Sequence, residues 1–257
     1  MSESMSLTAP WAEGRILTGR GVRLSLRNMD GLITALALPI MLMLLFVYLF
    51  GGAIGTGTRY VDYVVPGVLL VCAGFGAATT AVSVSHDLTG GIIDRFRSMD
   101  IHGESLIAGH VLASVARNLV STTLVFAAAF AIGFRSTASA VAWLGAIGIL
   151  ALFVLALSWL AAAIGILARS PEAANGLTFL IGFLPYPSSA FVPIHTMPSW
   201  LQGFAHNQPV TPVIDTVRDL LTNHSVGTSA AQAVGWSVAI IGVSMVLSAV
   251  LFRRRTR

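Results

Sequence analysis

Apolar residues in this chain come in long runs rather than in alternation with polar ones. Leu32–Phe50, a stretch opening at Tyr60 or Val64 and closing near Ser85, Leu106–Phe134, Val141–Ala168, Ala173–Phe191 and Val234–Phe252 are each dominated by Leu, Ile, Val, Phe, Ala and Gly. An α-helix needs about 20 such residues to cross about 30 Å of hydrocarbon, whereas a barrel strand alternates over about 10. The pattern therefore predicts an all-α integral membrane fold with six transmembrane helices, at about 32–50, 62–85, 106–134, 141–168, 173–191 and 234–252. The third run is longer than a bilayer requires, so its first turns are expected to project into the cytoplasm.

The polar segments between the runs have patterns of their own. In residues 1–31, Trp11–Asn28 interleaves Ile16, Leu17, Val22, Leu24 and Leu26 with Arg15, Arg20, Arg23 and Arg27, which suits an N-terminal amphipathic helix lying on the membrane surface. Between the second and third runs lies a charged island, "GGIIDRFRSMDIHGESLIAGH", Gly90–His110. On a helix, Ile92, Phe96 and Met99 share one face, while Asp94, Arg95, Arg97 and Asp100 take the remainder. Such a helix makes a contact, either in a partner's groove or against lipid. After the fifth run, "MPSWLQGFAHNQPVTPVIDTVRDLL" holds two short amphipathic stretches, Pro198–Ala205 and Pro212–Leu221, each opened by a proline that suits a first helical turn. Both are too short to span, which predicts re-entrant or interfacial helices packed on the outer ends of the spans, with a plain extracellular loop as the alternative.

Charge decides orientation. All 15 cationic side chains are arginine, and only 10% of residues are charged against 55% hydrophobic. Mean hydropathy is +0.81. Six crossings put both ends on one side. If that side is the cytoplasm, it holds Arg15, Arg20, Arg23, Arg27, Arg95, Arg97, Arg117, Arg169, Arg253, Arg254, Arg255 and Arg257, leaving only Arg59, Arg135 and Arg218 outside. The reading is a multi-pass protein of the inner or plasma membrane with both termini, the island and the basic tail 253–257 in the cytoplasm. The net charge of +4 is then a membrane-edge signature and not a nucleic-acid footprint. Glu3, Glu13 and Asp30 interrupt the first thirty residues, which lack the apolar core of a secretory signal. A lysine-free chain also points to a GC-rich, bacterial genome.

Catalytic signatures are missing from the sequence. A phosphate loop of the GxxxxGK[ST] type needs lysine, and there is none. The histidines His86, His102, His110, His195, His206 and His224 fall into no ligand spacing, and no GxSxG elbow occurs. The single cysteine, Cys72, lies inside an apolar run, where packing is its expected role. No catalytic residue, metal site or bound cofactor is expected of this chain. Arg117 is the intramembrane charge that stands out, placed near the inner headgroups and read as snorkelling or as an inner helix contact. No series of acidic residues crosses the spans, so a proton- or sodium-driven cycle is disfavoured and energy must come from elsewhere.

Two stretches carry a family resemblance. "GGIIDRFRSMDIHGESLIAGHVLASVARNLV", Gly90–Val120, and "FVPIHTMPSWLQGFAHNQPVTPVIDTVRDLL", Phe191–Leu221, are similar to the cytoplasmic and outer signatures of type-2 ABC exporter permeases, in particular the daunorubicin-resistance-like drug-efflux branch. The resemblance implies that the island is the coupling helix seated in a separate ABC ATPase, with Asp94, Arg95, Phe96, Arg97 and Ser98 in the contact. The family usually has Glu where Asp94 stands, and often Pro where Asp100 follows Met99. ATP and magnesium would bind in that partner, and a second permease chain, identical or related, would complete the transporter. The outer re-entrant helices and exit would be built on Pro185, Pro193, Pro198, Pro209, Thr211, Pro212, Asp215 and Arg218, with "PYPSS", Pro185–Ser189, lining the exit. Substrate contacts are expected from spans two and five, at Phe75, Phe179 and Phe183. The expected function is ATP-driven export of hydrophobic drugs or other amphipathic compounds. Export of a lipid or polysaccharide precursor, a non-transporting accessory subunit and a membrane-embedded enzyme are the rivals.

Overall fold

The computed structural model describes residues 29–90 and 103–255. The N-terminal amphipathic stretch at 11–28 and the contact residues Asp94, Arg95, Phe96, Arg97 and Ser98 lie outside the described residues.

Among those residues all regular secondary structure is helical. Helix α1, Met29–Leu44, continues into a π-helical segment, Leu45–Phe50. There follow α2, Tyr60–Thr89; α3, Gly103–Ala131; α4, Ala140–Leu167; α5, Pro171–Phe183; a 3₁₀ turn, Ile194–Thr196; α6, Ser199–Asn207; α7, Val210–Leu221; and α8, Ser229–Arg255. Four of them, α2, α3, α4 and α8, are long and apolar enough to cross a membrane. The apolar part of α1 with its π segment, Leu36–Phe50, is shorter, and so is α5.

The fifth apolar run differs most from its expected shape. A helix was predicted over 173–191, but α5 stops at Phe183 and the chain passes through consecutive turns as far as Phe191. Pro185 and Pro187 supply the reason: neither has the backbone N–H that a continuing helix would need to bond to Ile181 O and Phe183 O. The exit from α5 is built by side chains instead. Ser188 Oγ donates to Pro185 O at 2.5 Å, Ala190 N donates to Ser188 Oγ at 3.1 Å, and Gln208 Nε2 donates to Pro187 O at 2.5 Å. At the other end, Ser170 Oγ accepts from Ala173 N at 3.2 Å, with Pro171 in the first turn.

Helix α2 is the hub, packed against α1, α3, α4, α5 and α7. Its apolar window is 67% buried, against 17% for α8, so α2 is the core of the bundle and α8 its edge. Small residues make that centre possible, because in a bilayer helices associate through close packing and not through expulsion of water. A Cβ at Gly67 would lie 2.5 Å from Ala190 Cβ and 2.8 Å from its Cα, and one at Gly74 would lie 3.0 Å from Gly182 Cα. On α4, a Cβ at Gly165 would come within 2.6 Å of Ala81 O. Helix α8 packs on α4 and α7 and leaves Val238, Val243 and Val246 exposed, a face suited to lipid.

The short helices α6 and α7 occupy the two stretches read as amphipathic. Helix α7 buries Val210, Val213, Ile214, Val217 and Leu221 against α2, α4 and α8, and α6 contributes Ala205 to a small apolar cluster with Ile194 and Met197. Asn223, at φ 56°, ends α7 in the left-handed conformation that closes many helices.

Candidate functional site

Three constructions stand out in the bundle, one open and two closed. The open one is a cleft of about 490 Å³ between α2 and α5. Gly74, Phe75 and Ala78 form one wall; Thr178, Phe179, Gly182 and Phe183 form the other, and Tyr186 closes the end. Phe179, Phe183 and Tyr186 recur at helical spacing and stack in order, with centroids 6.3 and 5.3 Å apart. Phe179 is 65% and Phe183 52% exposed, so these rings present open aromatic surface. The cleft has the size of a drug-binding pocket, and its few polar groups come from Asn175 and Thr178. The Phe75, Phe179 and Phe183 named from sequence thus share one wall system. Tyr186, read from sequence only as part of the exit stretch Pro185–Ser189, belongs with them, and its three-residue step from Phe183 was the available signal.

The second construction lies at the end of the bundle where α2 begins. Arg218 on α7 donates through Nη1 to Asp215 Oδ1 at 2.8 Å, through Nε to Tyr63 O at 3.1 Å and through Nη2 to Ser189 O at 2.6 Å. Its guanidinium carbon sits 3.9 Å above the centre of the Tyr63 ring. Ser189 Oγ closes the circuit on Asp215 Oδ1 at 2.6 Å. One planar cation with several donors ties α7 to α2 and to the turn after α5, which a lysine could not do. Beside it, burial and then the Asp215 charge push the Asp219 carboxyl above its ordinary range.

Other residues named from sequence flank this circuit. Pro185 begins the turn that carries Ser188 and Ser189, Pro209 caps α7, Thr211 Oγ1 donates to Ala205 O at 2.5 Å, and Pro212 O accepts from Thr216 Oγ1 at 2.6 Å. Pro193 and Pro198 sit apart, opening the 3₁₀ turn and α6. Ser189 belongs to the stretch Pro185–Ser189 expected at the exit, whereas Tyr63, which completes the circuit, was not singled out.

The third construction is a polar seam inside the bundle. Ser114 Oγ on α3 lies 2.6 Å from Thr80 Oγ1 on α2 and 2.9 Å from Ser158 Oγ on α4. Arg117 Nη2 donates to Thr80 Oγ1 at 2.8 Å, and Asn118 Nδ2 donates to Ser114 O at 3.0 Å. Arg117 is therefore a helix contact, turned toward α2. Polar groups that satisfy one another between membrane helices typically contribute about 0.6 kcal/mol each. The seam acts as alignment for three helices more than as a site for chemistry.

At the opposite end of α2, Asp87 Oδ2 lies 2.9 Å from His110 Nε2 on α3. Among the described residues no group of three or more His, Cys, Asp or Glu is arranged to hold a metal.

An all-helical bundle with four membrane-length helices, short amphipathic helices at one end and an accessible aromatic cleft is the architecture of an integral membrane protein. The chain belongs to the ABC-2 type transporter family, whose description matches residues 13–222, and is a membrane permease subunit of an ABC transporter. It is similar to the "Daunorubicin resistance ABC transporter permease protein DrrB1" of Streptomyces coeruleorubidus, with 29% identity over 87% of this chain and 80% of that protein. It is also similar to the "Probable doxorubicin resistance ABC transporter permease protein DrrC" of Mycobacterium tuberculosis, with 23% identity over 89% of this chain and 83% of that protein.

Proposed function

We propose that this chain is the permease of an ATP-driven exporter of hydrophobic and amphipathic drugs, and that the cleft between α2 and α5 holds the compound. The cleft is the observation that carries the reading: exposed Phe179 and Phe183 face a groove of drug-binding size inside a membrane bundle. Both relatives bear names of drug-resistance permeases, which supports the same substrate class.

The membrane domain is taken as 32–252 with six crossings, α1 with its π segment and α5 with its following turns joining the four long helices. Both termini, the 1–31 segment and the tail 253–257 then face the cytoplasm, a side favoured by twelve of the fifteen arginines. The turn region 184–191 and helices α6 and α7 cap the outer end, with the Arg218 circuit closing it. A second permease chain stands against the exposed face of α5 and encloses the cleft. A separate ATPase binds ATP and magnesium and grips Asp94, Arg95, Phe96, Arg97 and Ser98. Closure of the ATPase pair moves the permease from inward-facing to outward-facing, provided that the ATPase binds the two states with different affinity.

Phe183→Ala removes a half-exposed ring from the cleft wall. The half-saturating concentration for export of a hydrophobic dye is expected to rise about fivefold to tenfold, with the amount of permease in the membrane unchanged. An unchanged concentration dependence would remove the cleft from the proposal. Phe96→Ala and Arg97→Glu are expected to insert normally yet lose at least tenfold in export, while the ATPase still hydrolyses ATP. Wild-type export in both variants would refute the coupling role.

A further inference from the structure

The aromatic rings of the cleft continue beyond its rim. Phe179 stacks on Phe183 and Phe183 on Tyr186; Tyr186 then stacks on Phe191 at 5.5 Å, Phe191 on Phe46 at 4.3 Å, and Phe46 tilts against Phe50 at 5.5 Å. Six rings from α5, the turn after it and the π segment of α1 form one unbroken chain. Its ends are open and its middle is closed: Phe179 and Phe50 are exposed, whereas Phe191 is 3% exposed.

Two further observations bear on the closed middle. Phe46 and Phe50 ride on the π-helical segment Leu45–Phe50, an arrangement rare in helices and frequent where a helix serves function. Phe191 is tethered, because Tyr60 Oη donates to its carbonyl at 2.7 Å in a buried bond. One ring of the pair is thus anchored to the hub helix, and the other sits on the end of a separate helix. A flat ligand sandwiched between two rings needs about 7 Å between them, twice a van der Waals contact. At 4.3 Å the Phe46–Phe191 pair is shut, and about 3 Å of separation would admit a planar molecule.

We propose that the ring chain is the path by which a flat aromatic compound leaves the cleft, and that Phe46, Phe50 and Phe191 form a second contact site, reached when Phe46 parts from Phe191. This rests on the cleft being the place where the compound is held. Successive π faces suit a handover: each stacks on any flat aromatic without a specific hydrogen bond to trap it, and passage requires binding weak enough to leave. An aliphatic compound of similar size gains only its buried area from the same rings, so the outer site selects by flatness.

The test uses the full chain in inside-out vesicles from source cells that overproduce it, so that its own ATPase is present, with ethidium as the probe. On a Cys72→Ala background, Phe46→Cys and Phe191→Cys are joined by a short bis-methanethiosulfonate. Measured against the un-cross-linked double-cysteine protein, which already lacks both rings, ethidium binding to the purified permease is expected to stay within twofold, while ATP-driven ethidium uptake falls at least tenfold further and returns to the un-cross-linked level on reduction. Unchanged uptake in the cross-linked protein overturns the path. Loss of binding together with uptake overturns the separateness of the outer site. Absence of ethidium binding to the unmodified protein, or binding that Phe183→Ala does not weaken, overturns the cleft reading instead. Should the double-cysteine protein fail to insert, Phe46→Leu decides: ethidium uptake is expected to fall about fivefold while uptake of decyltrimethylammonium, a non-aromatic cation, stays within twofold. Equal loss of both overturns selection by flatness.

Discussion

Arg218→Ala is expected to loosen the whole end of the bundle at which α2 begins, lowering the thermal midpoint of the detergent-purified permease by about 5–10 °C. The truncation removes the donors to Asp215, Tyr63 O and Ser189 O and leaves the Tyr63 ring without its cation. Breaking a fully buried ion pair costs about 3–5 kcal/mol, but Asp215 keeps a 35% exposed side chain that water can solvate. A loss of about 2–3 kcal/mol is therefore the expected scale, with each kcal/mol moving the midpoint by about 2–4 °C in a chain of this size. Arg218→Lys keeps the charge but cannot span carbonyls on two elements, so roughly half the loss should remain. A midpoint within 1 °C of wild type for Arg218→Ala would show that α7 is held by its apolar face alone.

The second large effect is expected at the glycines of α2, where two substitutions that look alike should behave differently. At Gly76 a new Cβ collides with the Asn118 side chain, lying 2.6 Å from its Cγ and 2.7 Å from its Nδ2. At Gly67 the obstacles are backbone atoms, Ala190 Cα at 2.8 Å and its carbonyl oxygen at 2.9 Å, in a turn pinned by Ser188 and Tyr60. Overpacking of this kind typically costs about 1–3 kcal/mol. Both Gly76→Ala and Gly67→Ala should lower the thermal midpoint and the yield of folded permease. Adding Asn118→Ala should recover more than half of the Gly76→Ala loss and none of the Gly67→Ala loss, a coupling that a double-mutant cycle measures directly. Equal rescue of both would contradict the packing described.

How far these features could be read in advance differs from one element to the next. The helices α6 and α7 were visible in the spacing of Pro198, Pro212 and the apolar positions after them, because an amphipathic stretch too short to span has few other places to go. The break after Phe183 was also written in the chain, as Pro185 and Pro187, although the run of apolar residues through Phe191 outweighed them in the expected helix. Phe179, Phe183 and Tyr186 follow one another at steps of four and three residues, which the sequence shows by itself, yet Phe75 lies about a hundred residues earlier. Only the close approach of Gly74 to Gly182 brings that ring to the same cleft. Arg117 was marked as an unusual intramembrane charge with two readings left open, and the choice between them depended on where α2 presents Thr80. The coupling residues Asp94 to Ser98 rest on sequence throughout.

Composition and periodicity by themselves determined that this is an all-helical membrane protein, because runs of apolar residues leave the backbone no partner in hydrocarbon except itself. The same reasoning extends to residues whose geometry is local, such as a proline at a helix start or rings three and four positions apart. What the tertiary structure alone decided is which distant residues meet: Arg218 with Tyr63 and Ser189, Gly76 with Asn118, Phe46 with Phe191. Such contacts depend on the register and rotation of one helix against another. In a bilayer those are chosen by small-residue packing and by pairs of polar groups, and neither leaves a periodic signal along the chain.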